Sequence, residues 1–312
     1  MTPSLSAIIC THNPRPDFLS RTLAALRAQT LAPAEWELLV IDNASRVPLT
    51  GTLDLAWHPR ARVVREDEVG LTAARLRGIA EARGELTVWI DDDNLLAPDY
   101  LEVAWRLARE WPRLGVWGCG DFQPEWETPP RPDFAPYLHY LAVSRAPRDR
   151  WSNLLYDFPA TPAGAGLCAR AGVARRYAAN VRGDPRRKAL GRTGKGLGAC
   201  EDHDLAFTAI DLGYGTGVFQ SLRLTHLMPA GRVEEDYLLR LVEGHACSTV
   251  LLMALRDSSL RSNPRRWIDR LRGWRLRRSL SPIEIRIEDA KERGSRRGWS
   301  ILEGSSSPAA SP

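Results

Sequence analysis

Three short apolar runs, each spilling directly into a polar cluster, constrain this chain more than any other feature. Leu5-Ser-Ala-Ile-Ile-Cys10 ends at Thr11-His12-Asn13-Pro14, Glu37-Leu-Leu-Val-Ile41 at Asp42-Asn43, and Leu86-Thr-Val-Trp-Ile90 at Asp91-Asp92-Asp93-Asn94. Runs this short and this apolar read as strands buried on both faces. Between them the pattern is helical. Phe18, Leu19, Leu23 and Leu26 recur at helix spacing, and Thr72 to Arg83 carries Leu76, Ile79 and Ala80 on one side with Gly84 as a stop. A helix over 98–110 and a strand over 115–119 follow. Strands alternating with helices predict an α/β domain with a largely parallel sheet, whose ligands gather at the carboxyl ends of the strands. The three polar clusters fall at those ends.

Beyond residue 120 the texture changes. Phe122 to Tyr140 mixes five prolines with aromatic residues and reads as an irregular wall. Gly183 to Gly198, rich in Gly, Arg and Lys, has little to bury and reads as a mobile loop, either a lid over a ligand or an undirected insertion. Its Gly194-Lys195 lacks the spacing of a phosphate-binding P-loop. A helix is expected from Asp204 to Leu212, a strand from Gly217 to Gln220 and a longer helix from Glu234 to Leu255.

At 312 residues and 44% hydrophobic composition, the chain can bury a full core, which excludes a disordered or disulfide-stapled class. Five scattered cysteines without a Cys-x-x-Cys pair predict reduced thiols and no zinc finger. No uninterrupted apolar run of about 18 residues and no secretory signal are visible, so a cytoplasmic location is expected, with a peripheral position on the membrane's cytoplasmic face as an option. The net charge of +5 is unevenly placed: residues 256–312 hold 14 basic against 7 acidic side chains.

Two acidic clusters carry the chemistry. Three adjacent carboxylates at a strand end repel one another unless a cation compensates, and hard oxygen ligands there suit Mg²⁺ or Mn²⁺; the plain alternative is a solvated turn capping the next helix. Glu201-Asp202-His203-Asp204 precedes a helical run, where acids favour the helix N-terminus and where a general base would also be well placed. His226 is a lone histidine ending a strand-like run. Arg75 and Arg77 are candidate phosphate contacts, or part of a solvated helix face.

Taken in order, Ser6-Ala-Ile-Ile-Cys-Thr-His-Asn-Pro-Arg15, Leu38-Leu-Val-Ile-Asp-Asn-Ala-Ser45, Val69-Gly-Leu-Thr-Ala-Ala-Arg75, Gly84-Glu-Leu-Thr-Val-Trp-Ile-Asp-Asp-Asp93, Gly164-Ala-Gly166, Cys200-Glu-Asp-His-Asp-Leu205 and Thr225-His226 resemble the family 2 glycosyltransferases across residues 4–245. The resemblance implies a GT-A fold: a Rossmann-like nucleotide-binding half with a mixed central sheet, fused to an acceptor-binding half. It implies inverting transfer of a sugar from a nucleoside-diphosphate sugar, a UDP-sugar by default, to a hydroxyl of a polysaccharide, glycolipid or other glycoconjugate, including lipid-linked acceptors. It assigns Thr11 and Asp42 to the pocket of the donor base, Arg75 to the diphosphate, and Asp91 and Asp92 to the donor, with Asp91 nearer the ribose. Asp93 and His226 become ligands of Mn²⁺ or Mg²⁺, and Asp202 the general base. The chain departs from the pattern at Leu76, where relatives often carry Asn, and at Glu68-Val69, where Asn commonly precedes the glycine. The Gln-x-x-Arg-Trp motif of processive synthases is absent, which favours single addition.

The domain division expected is 1–245 for the transferase (about 1–100 for the donor half, about 101–245 for the acceptor and catalytic half), 246–303 for a basic helical extension and 304–312 for a disordered tail. Within the extension, Trp267, Leu271 and Trp274, with Ile268 beside them, form a stripe amid seven arginines. Such a segment suits an anionic membrane surface, with docking onto the body or a partner as the alternative; no nucleic-acid partner is expected. Two other functions fit the acidic clusters less well: a nucleotidyltransferase, and a non-catalytic sugar-nucleotide-binding scaffold.

Overall fold

The computed structural model describes residues 3–194, 196–257 and 279–304. The arginine- and tryptophan-rich stripe over 264–278 and the terminal segment from 305 lie outside the described residues.

Four parallel strands form the first half of the sheet: β1 (Leu5–Thr11), β2 (Trp36–Asn43), β3 (Ala61–Glu66) and β4 (Leu86–Asp91), in the order β3-β2-β1-β4. Because β1 lies between β2 and β4, Thr11 stands opposite Asp42 and Cys10 opposite Asp91. The polar clusters that follow the three apolar runs are thereby neighbours. Successive side chains alternate between faces. Leu5, Ala7 and Ile9 pack toward helices α1 (Pro16–Arg27) and α3 (Tyr100–Glu110). Ile8, Leu39 and Ile41 pack toward α2 (Leu71–Glu81), α4 (Ala171–Gly183) and α5 (Glu201–Asp211). Two apolar layers flank one sheet, which is why β1, β2 and β4 are apolar on both faces along most of their length.

The second half of the sheet is mixed. It comprises β5 (Asn94–Leu96), β6 (Leu114–Trp126), β7 (Arg150–Ser152), β8 (Cys168–Arg170) and β9 (Gly215–Met228). Strand β8 runs antiparallel between β4 and β6, β6 pairs in parallel with β9, and β5 and β7 pair antiparallel with β9. The pairing of Asn94 with His226 positions the site, because it draws the acidic triplet up to the end of β9. The amide of Leu227 donates to the Asp93 carbonyl at 2.9 Å.

Helix α6 (Glu235–Arg256) runs unbroken through residue 245 and packs on α7 (Pro282–Gly304). Gly294 and Gly298 sit against α6, where an added Cβ would press on the Glu243 carbonyl and on Val250, so the two helices approach at backbone distance. Leu238, Val242, Ile283, Ile287 and Ala290 close a separate apolar cluster with Phe134. By length and composition α6 is apolar enough to cross a membrane, with a mean hydropathy of 1.4 over 18 residues. A search for one uninterrupted apolar run passes it over because Glu243 and His245 interrupt it. In this fold Leu241, Cys247, Leu251 and Leu252 of the helix are buried in protein.

Several elements differ from the sequence reading. Strand β3 was not anticipated, and β6 and β9 extend to 13 and 14 residues where short strands were expected. The 183–198 segment has more to bury than its composition suggests. It forms a 3₁₀ turn at Pro185–Leu190 whose Leu190 is fully buried beside Cys200 and Phe207. Arg187 pairs with Asp204, and Lys188 with Glu68 at 2.7 Å.

Candidate active site

A cavity of about 720 Å³ opens at the carboxyl ends of β1, β2 and β4. Thr11, Asp91, Asp92 and Asp93 line it from the strands, Arg75 from α2, Asp202 from α5, and His226 from β9. Asp42 is the one sequence-assigned residue outside its wall. Its buried carboxylate turns into the loop after β2, accepting from the amides of Ser45 (3.1 Å) and Leu49 (3.0 Å) and pairing with Arg65 at 2.8 Å. Those donors consume its lone pairs, so Asp42 shapes the rim, and the wall at this strand end is Asn43. Asn43 accepts from the amide of Gly70 at 2.8 Å and donates to the carbonyl of Glu68 at 2.7 Å, fixing the chain as it enters α2. That entry needs the backbone of Gly70, whose φ of +143° is open to glycine.

The three adjacent aspartates have distinct surroundings. Asp92 accepts from the Thr11 hydroxyl, while burial, aided by the Asp93 charge, pushes its carboxyl up to about 6. Asp93 is also buried, but His226, Arg232 and Arg192 beside it outweigh desolvation and hold its carboxyl down at about 2. Its Oδ1 lies 3.4 Å from His226 Nε2 and accepts from Asn94 Nδ2 at 2.9 Å; its Oδ2 accepts from Arg232 at 2.8 Å. A carboxylate and an imidazole nitrogen this close, with a guanidinium against both, form a donor set that fits a divalent cation.

In the same cavity, Asp202 stands in the first turn of α5. Its Oδ2 accepts from the amide of Gly164 at 2.9 Å and its Oδ1 from the amide of His203 at 2.8 Å, two bonds that fix the rotamer. Arg75 lies between the acidic groups. It pairs with buried Glu201 at 3.0 Å, sits over the Trp89 ring at 4.5 Å and feels the charges of Asp91 and Asp202. Burial opposes its charge, yet these acids raise its pKa. Gly164 makes room for it, since an added Cβ would stand 2.6 Å from Arg75 Nη2. Arg77, by contrast, is half-exposed and paired with Glu81 at 3.0 Å, part of a solvated helix face.

Arg192 reaches the cavity from the 183–198 loop, while sequence reasoning missed Arg232, Tyr237 and His245 as cavity residues. Each reaches the site from a segment distant in sequence, and only Arg232, six residues past His226, left any local signal. A second potential ligand group, Cys200, His203 and His245, has its donor atoms within 4.8 Å of one another. The Cys200 thiol is hydrogen-bonded with Thr249, and burial raises its pKa well above the ordinary value, so it stands as a neutral thiol, a poor metal ligand.

A parallel first half, a mixed second half and a cavity at the strand ends that gathers both acidic clusters define a glycosyltransferase fold of the GT-A type. Residues 6–155, just under half of the chain, match the family model described as glycosyl transferase family 2. The chain is 31% identical over 107 residues to EpsH of Bacillus subtilis, covering 34% of this chain and 31% of that protein. It is 33% identical over 122 residues to validoxylamine A glucosyltransferase of Streptomyces hygroscopicus subsp. limoneus, covering 38% and 26%. The matched segments thus span less than a third of these relatives. The crystal structure of S. aureus TarS 1-349 superposes with a TM-score of 0.51 at 12% identity, covering 97% of this chain and 90% of that one, a likeness of fold.

Proposed function

We propose that the protein is an inverting glycosyltransferase that moves a sugar from a nucleoside-diphosphate sugar to a hydroxyl of a glycan or lipid-linked acceptor. The observation that carries this reading is that one cavity gathers Asp202, Arg75 and the Asp91–Asp93 triplet, with Arg75 under the charges of both Asp91 and Asp202. In the reaction, the acceptor oxygen forms a bond to the anomeric carbon as the bond from that carbon to the diphosphate oxygen breaks. The acceptor proton passes to Asp202, and the bonding electron pair leaves with the diphosphate. A single displacement inverts the anomeric centre and requires one base. The bonds from Gly164 and His203 keep Asp202 aimed. Arg75 offers positive charge to the departing diphosphate.

Asp93 and His226 would hold Mn²⁺ or Mg²⁺, which when bound supplies Lewis-acid stabilisation of the leaving diphosphate. Thr11 and Asn43 line the side of the cavity where the nucleoside would lie, with Asp42 supporting that rim. UDP is the favoured carrier. The 264–278 segment fits contact with an anionic membrane surface, which would bring a cytoplasmic enzyme to lipid-linked acceptors.

The reading is tested by thermal shift with UDP, GDP and dTDP, each with Mn²⁺ and with EDTA. A nucleotide present at about 100 times its Kd stabilises the native state by about 2.7 kcal/mol. A Mn²⁺-dependent rise with one nucleotide supports the reading and identifies the base. No rise with any of the three sinks it. Release of pyrophosphate from a nucleoside triphosphate would identify a nucleotidyltransferase instead.

A further inference from the structure

Arg232 occupies an unusual position for a side chain beside a metal-binding pair. Its Nη2 donates to Asp93 Oδ2 at 2.8 Å, and its Nη1 lies 3.1 Å from His226 Nε2. A guanidinium has no lone pair, so Nε2 accepts from Arg232 when the ring proton is on Nδ1, while an Nε2–H faces Asp93 Oδ1 at 3.4 Å. Nδ1 is buried without a hydrogen-bond partner among the described residues. In either tautomer Arg232 stands against the Nε2 atom that a metal ion would have to reach. The arginine is delivered by the short turn Ala230–Val233, which is tethered where the Ala230 amide donates to Glu127 at 2.9 Å, and Glu127 in turn pairs with Arg15. Arg232 is part of the cavity wall, a quarter exposed, so its guanidinium can leave the pair without unpacking a core.

We propose that Arg232 is a resident counter-ion that exchanges with the divalent cation: it neutralises Asp93 and occupies His226 Nε2 when the metal is absent, and yields both when the metal enters. This rests on the reading of Asp93 and His226 as metal ligands. Once displaced, the guanidinium stays beside the cavity and offers its forked donors to the oxygens of the donor diphosphate. Metal entry and diphosphate binding are thereby coupled through one side chain. By linkage, each strengthens the other.

The test measures Mn²⁺ affinity in the full chain without nucleotide, by titration of the free-Mn²⁺ electron paramagnetic resonance signal, and then UDP affinity with Mn²⁺ present. Arg232→Met is expected to bind Mn²⁺ about tenfold more tightly than wild type, because Nε2 is free, and to bind UDP in Mn²⁺ about tenfold more weakly. Arg192→Met removes another cavity charge that acts on Asp93 but makes no bond to His226, and is expected to change Mn²⁺ affinity by less than threefold. Arg232→Lys keeps the charge but loses the fork that spans both ligands, and is expected to fall between wild type and Arg232→Met. Thermal midpoints of all variants confirm that folded proteins are compared. Equal Mn²⁺ affinity in wild type and Arg232→Met, or an equal gain from Arg192→Met, overturns the exchange while leaving the metal site standing. Failure of every protein to bind Mn²⁺ overturns the metal reading and the exchange together.

Discussion

Glu201→Gln is expected to make this protein more stable at neutral pH, although Glu201 is one half of a buried ion pair. The carboxylate is buried beside Arg75, with Oε1 3.0 Å from Nη1 and Oε2 without a partner among the described residues. Burial raises its carboxyl from an ordinary 4.5 to about 7; Arg75 pulls it down, and Asp202 nearby pushes it up again. The net direction shows that desolvation and the Asp202 charge outweigh the arginine. A carboxyl whose pKa is higher in the folded state contributes stability that is fully present below about 4.5 and lost as pH rises through about 7. The gap between the two values, at about 1.4 kcal/mol per tenfold change in proton affinity, puts the ceiling of that loss at about 3 kcal/mol.

Glutamine keeps the shape, still accepts from Arg75 through its carbonyl, and never ionises. The variant is therefore expected to exceed wild type by about 2 to 3 kcal/mol at pH 7.5 and to match it near pH 4.5. Thermal unfolding of both proteins from pH 4.5 to 8.5 measures the difference, with the two midpoint curves converging at the acid end. A variant less stable than wild type at pH 7.5 would refute the reasoning, because it would mean that the Arg75 attraction outweighs desolvation. So would a gap that persists undiminished at pH 4.5.

Three other outcomes are expected. Asp202→Asn lowers the transfer rate by about 10² to 10⁴-fold with donor affinity unchanged, read by nucleoside diphosphate release and by isothermal titration; a rate within tenfold of wild type removes Asp202 as the base. His58, buried against the Trp36 ring at 4.1 Å, is pushed down to about 4, chiefly by burial and then by Arg60. Its contribution to stability is present above about 6.5 and lost as pH falls toward 4, by at most about 3 kcal/mol, and His58→Phe flattens that part of the stability–pH profile. Gly166→Ala is expected to cost at least about 2 kcal/mol and to lower activity, because φ is +72° and the new Cβ would strike the Tyr100 hydroxyl, whereas Gly172→Ala, with open space in α4, is neutral or stabilising in the same urea titration.

The strands that were legible in the sequence are those buried on both faces. β1, β2 and β4 are continuous apolar runs because helices cover both sides of the sheet, and their polar ends marked three walls of the cavity. β3 was missed because it is an edge strand of mixed character, Ala61-Arg-Val-Val-Arg-Glu66, whose arginines are engaged by buried acids of β2: Arg62 by Glu37 and Arg65 by Asp42. The pull of those acids on arginines three strand positions apart is a long-range fact with no local signature. The same holds for Leu190, an apolar residue in a basic loop that is fully buried beside Cys200 and Phe207. Asp42 lies outside the cavity wall for another reason: sequence locates a residue at a strand end but not the direction in which its side chain turns. Here the amides of Ser45 and Leu49 and the Arg65 guanidinium decide the direction.

The acidic triplet illustrates how identical residues in a row acquire different chemistry. Adjacent carboxylates on a strand end cannot all face the same partner, because successive side chains diverge. Asp92 is directed to the Thr11 hydroxyl, and with no cation paired to it burial wins, so its carboxyl is raised. Asp93, one residue further, is carried by the β5–β9 pairing up to His226 and Arg232, and there the cations win, so its carboxyl is lowered. A carboxylate ligand needs a second ligand within reach. Asp93 has one in His226, whose Nε2 lies 3.4 Å from its Oδ1, whereas Asp92 turns an oxygen to the Thr11 hydroxyl instead. That difference selects Asp93 as the metal-facing carboxylate of the proposed site, and it originates in the three-residue strand β5, which joins the end of β4 to the end of β9.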